Sequence, residues 1–334
     1  MLPLSHVHQL CSLETCQPYI HALRWHDRPL QGPRCQSQDV EPWGHYHERP
    51  GGQRYWGHGC QRTFHDLTDT LLHQSKRSLP SWMLATCLVC LPCASRRMAR
   101  ELGGQGRTRY RWGWWLRTTA VSYATARQVE GTVEADELEH TAGQQGQARQ
   151  GGKQAWGRRA RGRRKQREPG RGHYDQDRPA LIAWGRRPGA GGIHATRDGT
   201  VQTVQQAADW AVPAGRRLDT DAASRYRALK GYVHACVHHT QKEYARGAGH
   251  ANRAEGLLSF LKPSLRVLRG IRKLNWSGSL RFLQCLRNFR QQNACEQAEL
   301  ILRAALDPTI ARKARRGEFV RCVDHFDLLQ IAIN

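Results

Sequence analysis

Three carboxylates and a lysine carry the chemistry of this chain. Asp136 and Asp221 sit in short strand-like runs, and Glu255 opens a helical run that reaches Lys262. Only 33 residues separate Asp221 from Glu255. Three carboxylates on two strands and a helix can hold two hard divalent cations, Mg2+ or Mn2+, between them. Such a pair activates a water or a 3′-hydroxyl and stabilises the leaving oxygen in phosphodiester chemistry. Strand alternation puts Glu134 and Asp136 on one face, and likewise Asp219 and Asp221. On the helix, positions 252, 255, 259 and 262 share a stripe. Glu255 can then face a metal while Lys262, two turns on, reaches a phosphate. Asn252 and His250, near the helix start, could orient Glu255 or touch the metal. Taken singly, each acid is more readily a cap or a solvated group. Three in this order, with the lysine seven residues after the glutamate, make the pattern informative.

The elements that must position these residues follow from hydropathy. Strands are expected at 128–141, 180–184, 192–196, around Asp221, and at 232–237. Helices are expected at 200–211, from 251 through Lys262, and around 279–292. That order fits a mixed sheet flanked by helices. Upstream, 81–91 reads as a buried helix. A helix over 95–103, a short turn and an Arg-rich helix over 107–117 form a helix-turn-helix pattern. Residues 1–75 are rich in Cys, His, Gly and Pro with little periodicity, as in a small metal-stapled module. The expected divisions are 1–75, 76–127, 128–300 and a C-terminal helical tail over 301–334.

Lys plus Arg number 52 against 28 acids, a net charge of +24. That excess points to a polyanionic partner, with nucleic acid ahead of membrane lipid. Residues 142–172 hold ten Lys/Arg against one acid and almost no apolar side chains. This basic insertion, with Arg158, Arg159, Arg161, Arg163, Arg164 and Lys165, is expected to bind phosphate without sequence preference. No apolar run approaches the length of a spanning helix. The first residues lack a basic stretch followed by an apolar core. With 11 irregularly spaced cysteines, this reads as a cytoplasmic chain whose cysteines are reduced thiols or metal ligands.

The stretch 131–295 resembles the catalytic domain of bacterial insertion-sequence transposases of the DDE superfamily, in the group with an ISXO-type domain. The residues that carry the resemblance are Val133 to Glu137, Thr220 to Tyr226, His239 to Tyr244, and His250 to Glu255 with Leu261-Lys262. The closing run Leu286 to Asn293 adds to them. The resemblance implies an RNase H-like fold and Mg2+-dependent cutting and joining at transposon ends. It implies that Asp136, Asp221 and Glu255 bind the metal, with Asn252 a rival third ligand. Double-stranded DNA is the implied partner, and joining two ends implies a dimer or larger assembly.

The same family often carries an N-terminal zinc ribbon with two Cys-x-x-Cys knuckles. Here Gly32 and Gly57 stand where the first cysteines would be, and Cys35 and Cys60 remain. Tetrahedral zinc needs four ligands. The favoured reading is a decayed ribbon. A rearranged site with His45, His47 or His58 is the alternative. Cys87, Cys90 and Cys93 lie in an apolar helix and read as packing groups rather than an iron–sulfur site. In the helix-turn-helix, Arg107, Thr108, Arg109 and Arg111 are the expected DNA contacts. Glycines at 103, 104 and 106 crowd the turn. Trp112, Trp114 and Trp115 read as core.

The reading reached is a DDE transposase that binds terminal inverted repeats. One alternative is a relative that binds DNA without cutting it, suggested by the lost knuckle cysteines. Another is an RNase H-like nuclease that cuts without joining.

Overall fold

The computed structural model describes residues 12–46, 49–73, 75, 77–91, 93–103, 106–123, 131–141, 177–185, 191–196, 200–221, 224–237, 245–246, 249–250, 252–268, 271 and 275–319. The basic insertion and the His239–Tyr244 run lie outside these residues, as does the chain beyond 319.

A mixed five-stranded sheet positions the candidate carboxylates. Its strands are β4 (Val133–Thr141), β5 (Asp177–Gly185), β6 (Gly191–Ala195), β7 (Arg217–Asp221) and β8 (Val233–Val237). They lie in the order β6-β5-β4-β7-β8. The first three form an antiparallel meander, and β7 and β8 join parallel to β4. Parallel pairing needs a crossover, and α5 (Val201–Ala211) carries the chain from β6 across to β7 beside β4.

Each face of the sheet has its own helix layer. Val133, Ala135 and Leu218 meet Val204, Ala207 and Ala211 of α5. The opposite face carries Glu134 and Leu138. Leu138 packs with Leu257, Leu258 and Leu261 of α7 (Asn252–Leu268). This helix runs through Pro263, well past Lys262. α8 (Trp276–Asn288) covers the β6 edge, where the Ile193 N–H donates to Gln284 Oε1 at 3.0 Å. That contact occupies an edge group that would otherwise be open to pairing. α5 is stapled to the turn before β8. Gln205 donates to the Lys230 carbonyl and accepts the Lys230 N–H, and the Tyr232 hydroxyl donates to Asp209.

The helices outside the sheet form the larger core. α2 (Leu79–Cys90) and α4 (Gly106–Thr119) meet through Trp82 and Trp112, stacked with centroids 4.0 Å apart. Cys87, Cys90 and Cys93 are buried in this core, as the packing reading expects. Burial raises the Cys90 thiol pKa, which suits an inert apolar group. α3 (Ser95–Glu101) precedes α4, and the turn between them takes its left-handed step at Gly103, φ 56°.

The N-terminal region differs from its expected lack of periodicity. It opens with the 13-residue helix α1 (Leu13–Trp25), whose buried Cys16, Ile20 and Leu23 join the same core. Ser12 caps it by accepting the Thr15 N–H. An antiparallel sheet follows, β1 (Val40–Tyr46), β2 (Arg49–Gly57) and β3 (Arg62–His65). At the other end, α9 (Ala294–Leu306) starts with a reciprocal Asn293/Glu296 capping box. α10 (Pro308–Arg316) starts with Asp307 and Pro308 and ends at Gly317, φ 68°. Arg315 donates to the Thr70 carbonyl at 2.6 Å, and the Leu71 N–H donates to the Ala305 carbonyl. The segment around Thr70 and Leu71 is thereby packed against α9 and α10.

Candidate active site

The parallel register between the two central strands assembles the site. Val133 pairs with Leu218, Glu134 with Asp219, and Ala135 with Thr220. One step further along this register are Asp136 and Asp221. Both aspartates therefore occupy neighbouring positions on adjacent strands, Asp136 within β4 and Asp221 at the end of β7. Asp136 Oδ1 accepts the N–H of Glu137 at 2.7 Å. The backbone of Asp221 is described within β7, and its side chain is outside the description.

Glu134 and Asp219 sit side by side in the same register, both buried. Buried carboxylates need partners. Asp219 accepts from Arg217 Nε at 2.8 Å. Glu134 Oε2 accepts the backbone N–H groups of Arg253 at 2.7 Å and Ala254 at 3.4 Å. Those are unsatisfied amides of the first turn of α7, where the helix dipole also favours negative charge. Glu134 thus pins the start of α7 to β4, two residues before Asp136.

Glu255 lies on that same first turn. The apolar stripe of α7 is Ala254, Leu257, Leu258, Leu261 and Leu265, all buried. Glu255 is half-buried beside it, while Ser259 and Lys262 are exposed. The expected 255/259/262 stripe is therefore the margin between the core and solvent. Asn252 begins the helix, with its side chain outside the description. His250 is placed not on the helix but in a short hairpin strand, Gly249–His250, just ahead of it. Among the described residues, no three His, Cys, Asp or Glu side chains gather to hold a metal; Asp221 is not among them.

Sequence reasoning found the face that Glu134 shares with Asp136 and missed its task. Nothing local signals it, because its partners are amides 119 and 120 residues away.

Of the expected DNA contacts, Arg111 is exposed, its guanidinium 4.9 Å from the Trp115 ring centre. The side chains of Arg107, Thr108 and Arg109 are outside the description. So are Arg158, Arg159, Arg163, Arg164 and Lys165. Trp112 is buried, and Trp115 packs against the core.

In the N-terminal module Cys35 and Cys60 come together within hydrogen-bonding reach of each other. His45 and His58 do not complete a set of metal ligands with them, and His47 is outside the description. Two thiols do not fit four-coordinate zinc.

Comparison with known proteins finds one domain match and one relative. Residues 128–272 match the ISXO2-like transposase domain. The chain is also 27% identical over 289 residues to a protein of Halobacterium salinarum described as an uncharacterized protein in transposable element ISH50. That alignment covers 85% of this chain and 94% of the relative. No solved structure matches. No helix among the described residues is long and apolar enough to cross a membrane. The chain is thus similar over residues 128–272 to an ISXO2-like transposase domain, and over most of its length to a protein of a transposable element.

Proposed function

We propose that this chain is a transposase, which cuts and rejoins DNA at the ends of its element through a DDE site made of Asp136, Asp221 and Glu255. The observation that carries the reading is the pairing of β4 with β7, which makes Asp136 and Asp221 neighbours beneath the pinned start of α7. The strand order β6-β5-β4-β7-β8, an antiparallel meander continued by two parallel strands, supports an RNase H-like fold for the sheet.

The donor set is all oxygen, which suits Mg2+ or Mn2+. Asp136, Asp221 and Glu255 would hold the ions, with Asn252 as the rival for the third place. Bound there, they would supply Lewis-acid activation of the attacking oxygen and charge relief for the leaving one. The protein's own groups do the rest. Glu134 fixes the angle at which α7 enters the site. Lys262, exposed two turns beyond Glu255, contacts a DNA phosphate and holds the strand in line. The reaction is water attack on the phosphodiester at the element's end, followed by attack of the freed 3′-hydroxyl on target DNA. The helix pair α3–α4 and the basic insertion hold the duplex. Joining two ends requires two copies of the chain or more.

The test is cleavage and joining of a labelled terminal DNA fragment by the purified protein and its Asp221→Asn variant, with Mg2+ or Mn2+. Activity in the wild type alone supports the reading. Tight binding without cleavage by either protein would instead support a DNA-binding relative with inherited carboxylates. Gly32 and Gly57 at the knuckle positions are the observation that favours this second reading.

A further inference from the structure

Gly32, Cys35, Gly57 and Cys60 converge as the four positions of a two-knuckle metal site would, but only two of them carry sulfur. A Cβ built on Gly32 would lie 2.6 Å from Cys35 Sγ, and one on Gly57 3.5 Å from Cys60 Sγ. A Cβ on Gly59 would lie 3.9 Å from Cys35 Sγ, so this sulfur reaches across to the opposite turn. Side chains at all four positions would converge. Both loops are held in shape by the backbone. Gly32 and Ser37 close the first, and the Cys60 N–H bonds the Gly57 carbonyl in the second. The His58 N–H, donating to the Asp39 carbonyl, draws them together. The frame of the cross-link persists without the ligands that zinc requires. The two remaining thiols touch and are half-exposed.

We propose that Cys35 and Cys60 form a reversible disulfide, which takes the place of a metal as the cross-link between loop 32–37 and turn 57–60. The pair is asymmetric in its contacts. Cys35 Sγ receives the Ser37 N–H, and a hydrogen bond to sulfur favours its thiolate. Cys35 is therefore the attacking group and Cys60 the resolving one. The oxidant is a small-molecule disulfide such as oxidised glutathione. The Cys35 thiolate attacks one of its sulfurs, releasing one glutathione and leaving a mixed disulfide. Cys60 then gives up its proton and attacks Cys35 Sγ, releasing the second glutathione. Two protein thiols are oxidised, and one glutathione disulfide is reduced to two thiols. Of the other described cysteines, Cys16, Cys87, Cys90, Cys93 and Cys285 are buried and compete poorly, while Cys295 lies on α9, away from the pair.

The experiment equilibrates the full chain with oxidised glutathione, blocks remaining thiols with N-ethylmaleimide and maps the digest by mass spectrometry. The expected result is a Cys35–Cys60 linked peptide pair that dithiothreitol dissolves. Cys60→Ser should stop at glutathione on Cys35, and Cys35→Ser should leave Cys60 about 10-fold slower to react. A companion variant carrying Gly32→Cys and Gly57→Cys should bind one cobalt(II) with a thiolate charge-transfer band that the wild type lacks. Both thiols taking maleimide after oxidation would overturn the proposal. So would separate glutathione adducts without a cross-link, or one tightly bound zinc in the wild type. Failure of the four-cysteine variant to bind cobalt would remove its premise, that the corners converge.

Discussion

The Glu134 carboxylate on β4 accepts the backbone N–H of Arg253 at 2.7 Å, and so fastens the first turn of α7 to the central strand of the sheet. Glu255 is two residues further along that turn, and Asp136 two residues further along that strand. A single hydrogen-bonded contact therefore sets the distance between two of the three candidate ligands. Replacing Glu134 by Ala leaves buried amides without their acceptor, which costs about 1–3 kcal/mol. Glu134→Gln keeps an acceptor oxygen and should lose less. Urea unfolding measures the stability change, and cleavage against Mg2+ concentration measures the site. We expect Glu134→Ala to need more Mg2+ for half-maximal cleavage, with Glu134→Gln in between. An unchanged Mg2+ requirement in a folded Glu134→Ala protein would mean that the contact holds the helix without setting the site.

The third ligand is decided by two neighbours on α7. Glu255 sits half-buried at the edge of the apolar stripe, whereas Asn252 is the first residue of the helix. If Glu255 binds the cation and Asn252 only supports it, Asn252→Ala should lower metal affinity about 10-fold. Glu255→Gln should lower it further and abolish joining. Isothermal titration with Mn2+ on both variants separates the two assignments, since the reverse order of effects would make Asn252 the ligand.

Much of this arrangement was legible in the sequence, and the misses have physical causes. β4, β7 and α7 announced themselves because alternation and helical period are local properties. The position of Asp136 beside Asp221 is a matter of register between strands more than 80 residues apart, which no local pattern encodes. α1 was hidden because Pro18 and His21 interrupt its apolar period. α7 was cut short at Lys262 because proline normally ends a helix, but Leu265 beyond it is buried and holds the last turns in place. The knuckles showed in the residue types. That both remaining thiols would meet followed only from the fold.

His194 gives the sheet domain an acid-sensitive point. Its ring meets Trp210 edge-on at 3.9 Å, and its Nε2 is buried without a hydrogen-bond partner among the described residues. Burial, with Arg281 adding to it, pushes its pKa down to about 3 from 6.5. The unfolded chain therefore takes up this proton first. The stability tied to neutral His194 is fully present above pH 6.5 and is lost as pH falls from there toward 3. The slope from this one group reaches at most about 1.4 kcal/mol per pH unit. Chemical denaturation at pH 7.5 and pH 5 should show a loss in the wild type that is smaller in His194→Gln. Equal losses in both proteins would assign the acid sensitivity to other groups.

The basic insertion is best tested through salt, because charge there acts on DNA through counterions. Each phosphate neutralised releases bound cations, so log K falls with log salt at about 0.9 per contact. Changing Arg158, Arg159, Arg161, Arg163, Arg164 and Lys165 to Gln removes six positive charges from that segment. If they bind the backbone, the slope should become shallower by several units and affinity should fall alike for terminal and random DNA. Arg111→Ala, on the exposed face of α4, should instead weaken terminal DNA more than random DNA if α4 reads bases. Fluorescence anisotropy across a salt series with both duplexes distinguishes these cases. An unchanged slope in the six-fold variant would leave the insertion as a solvated segment and place DNA affinity on the folded surface.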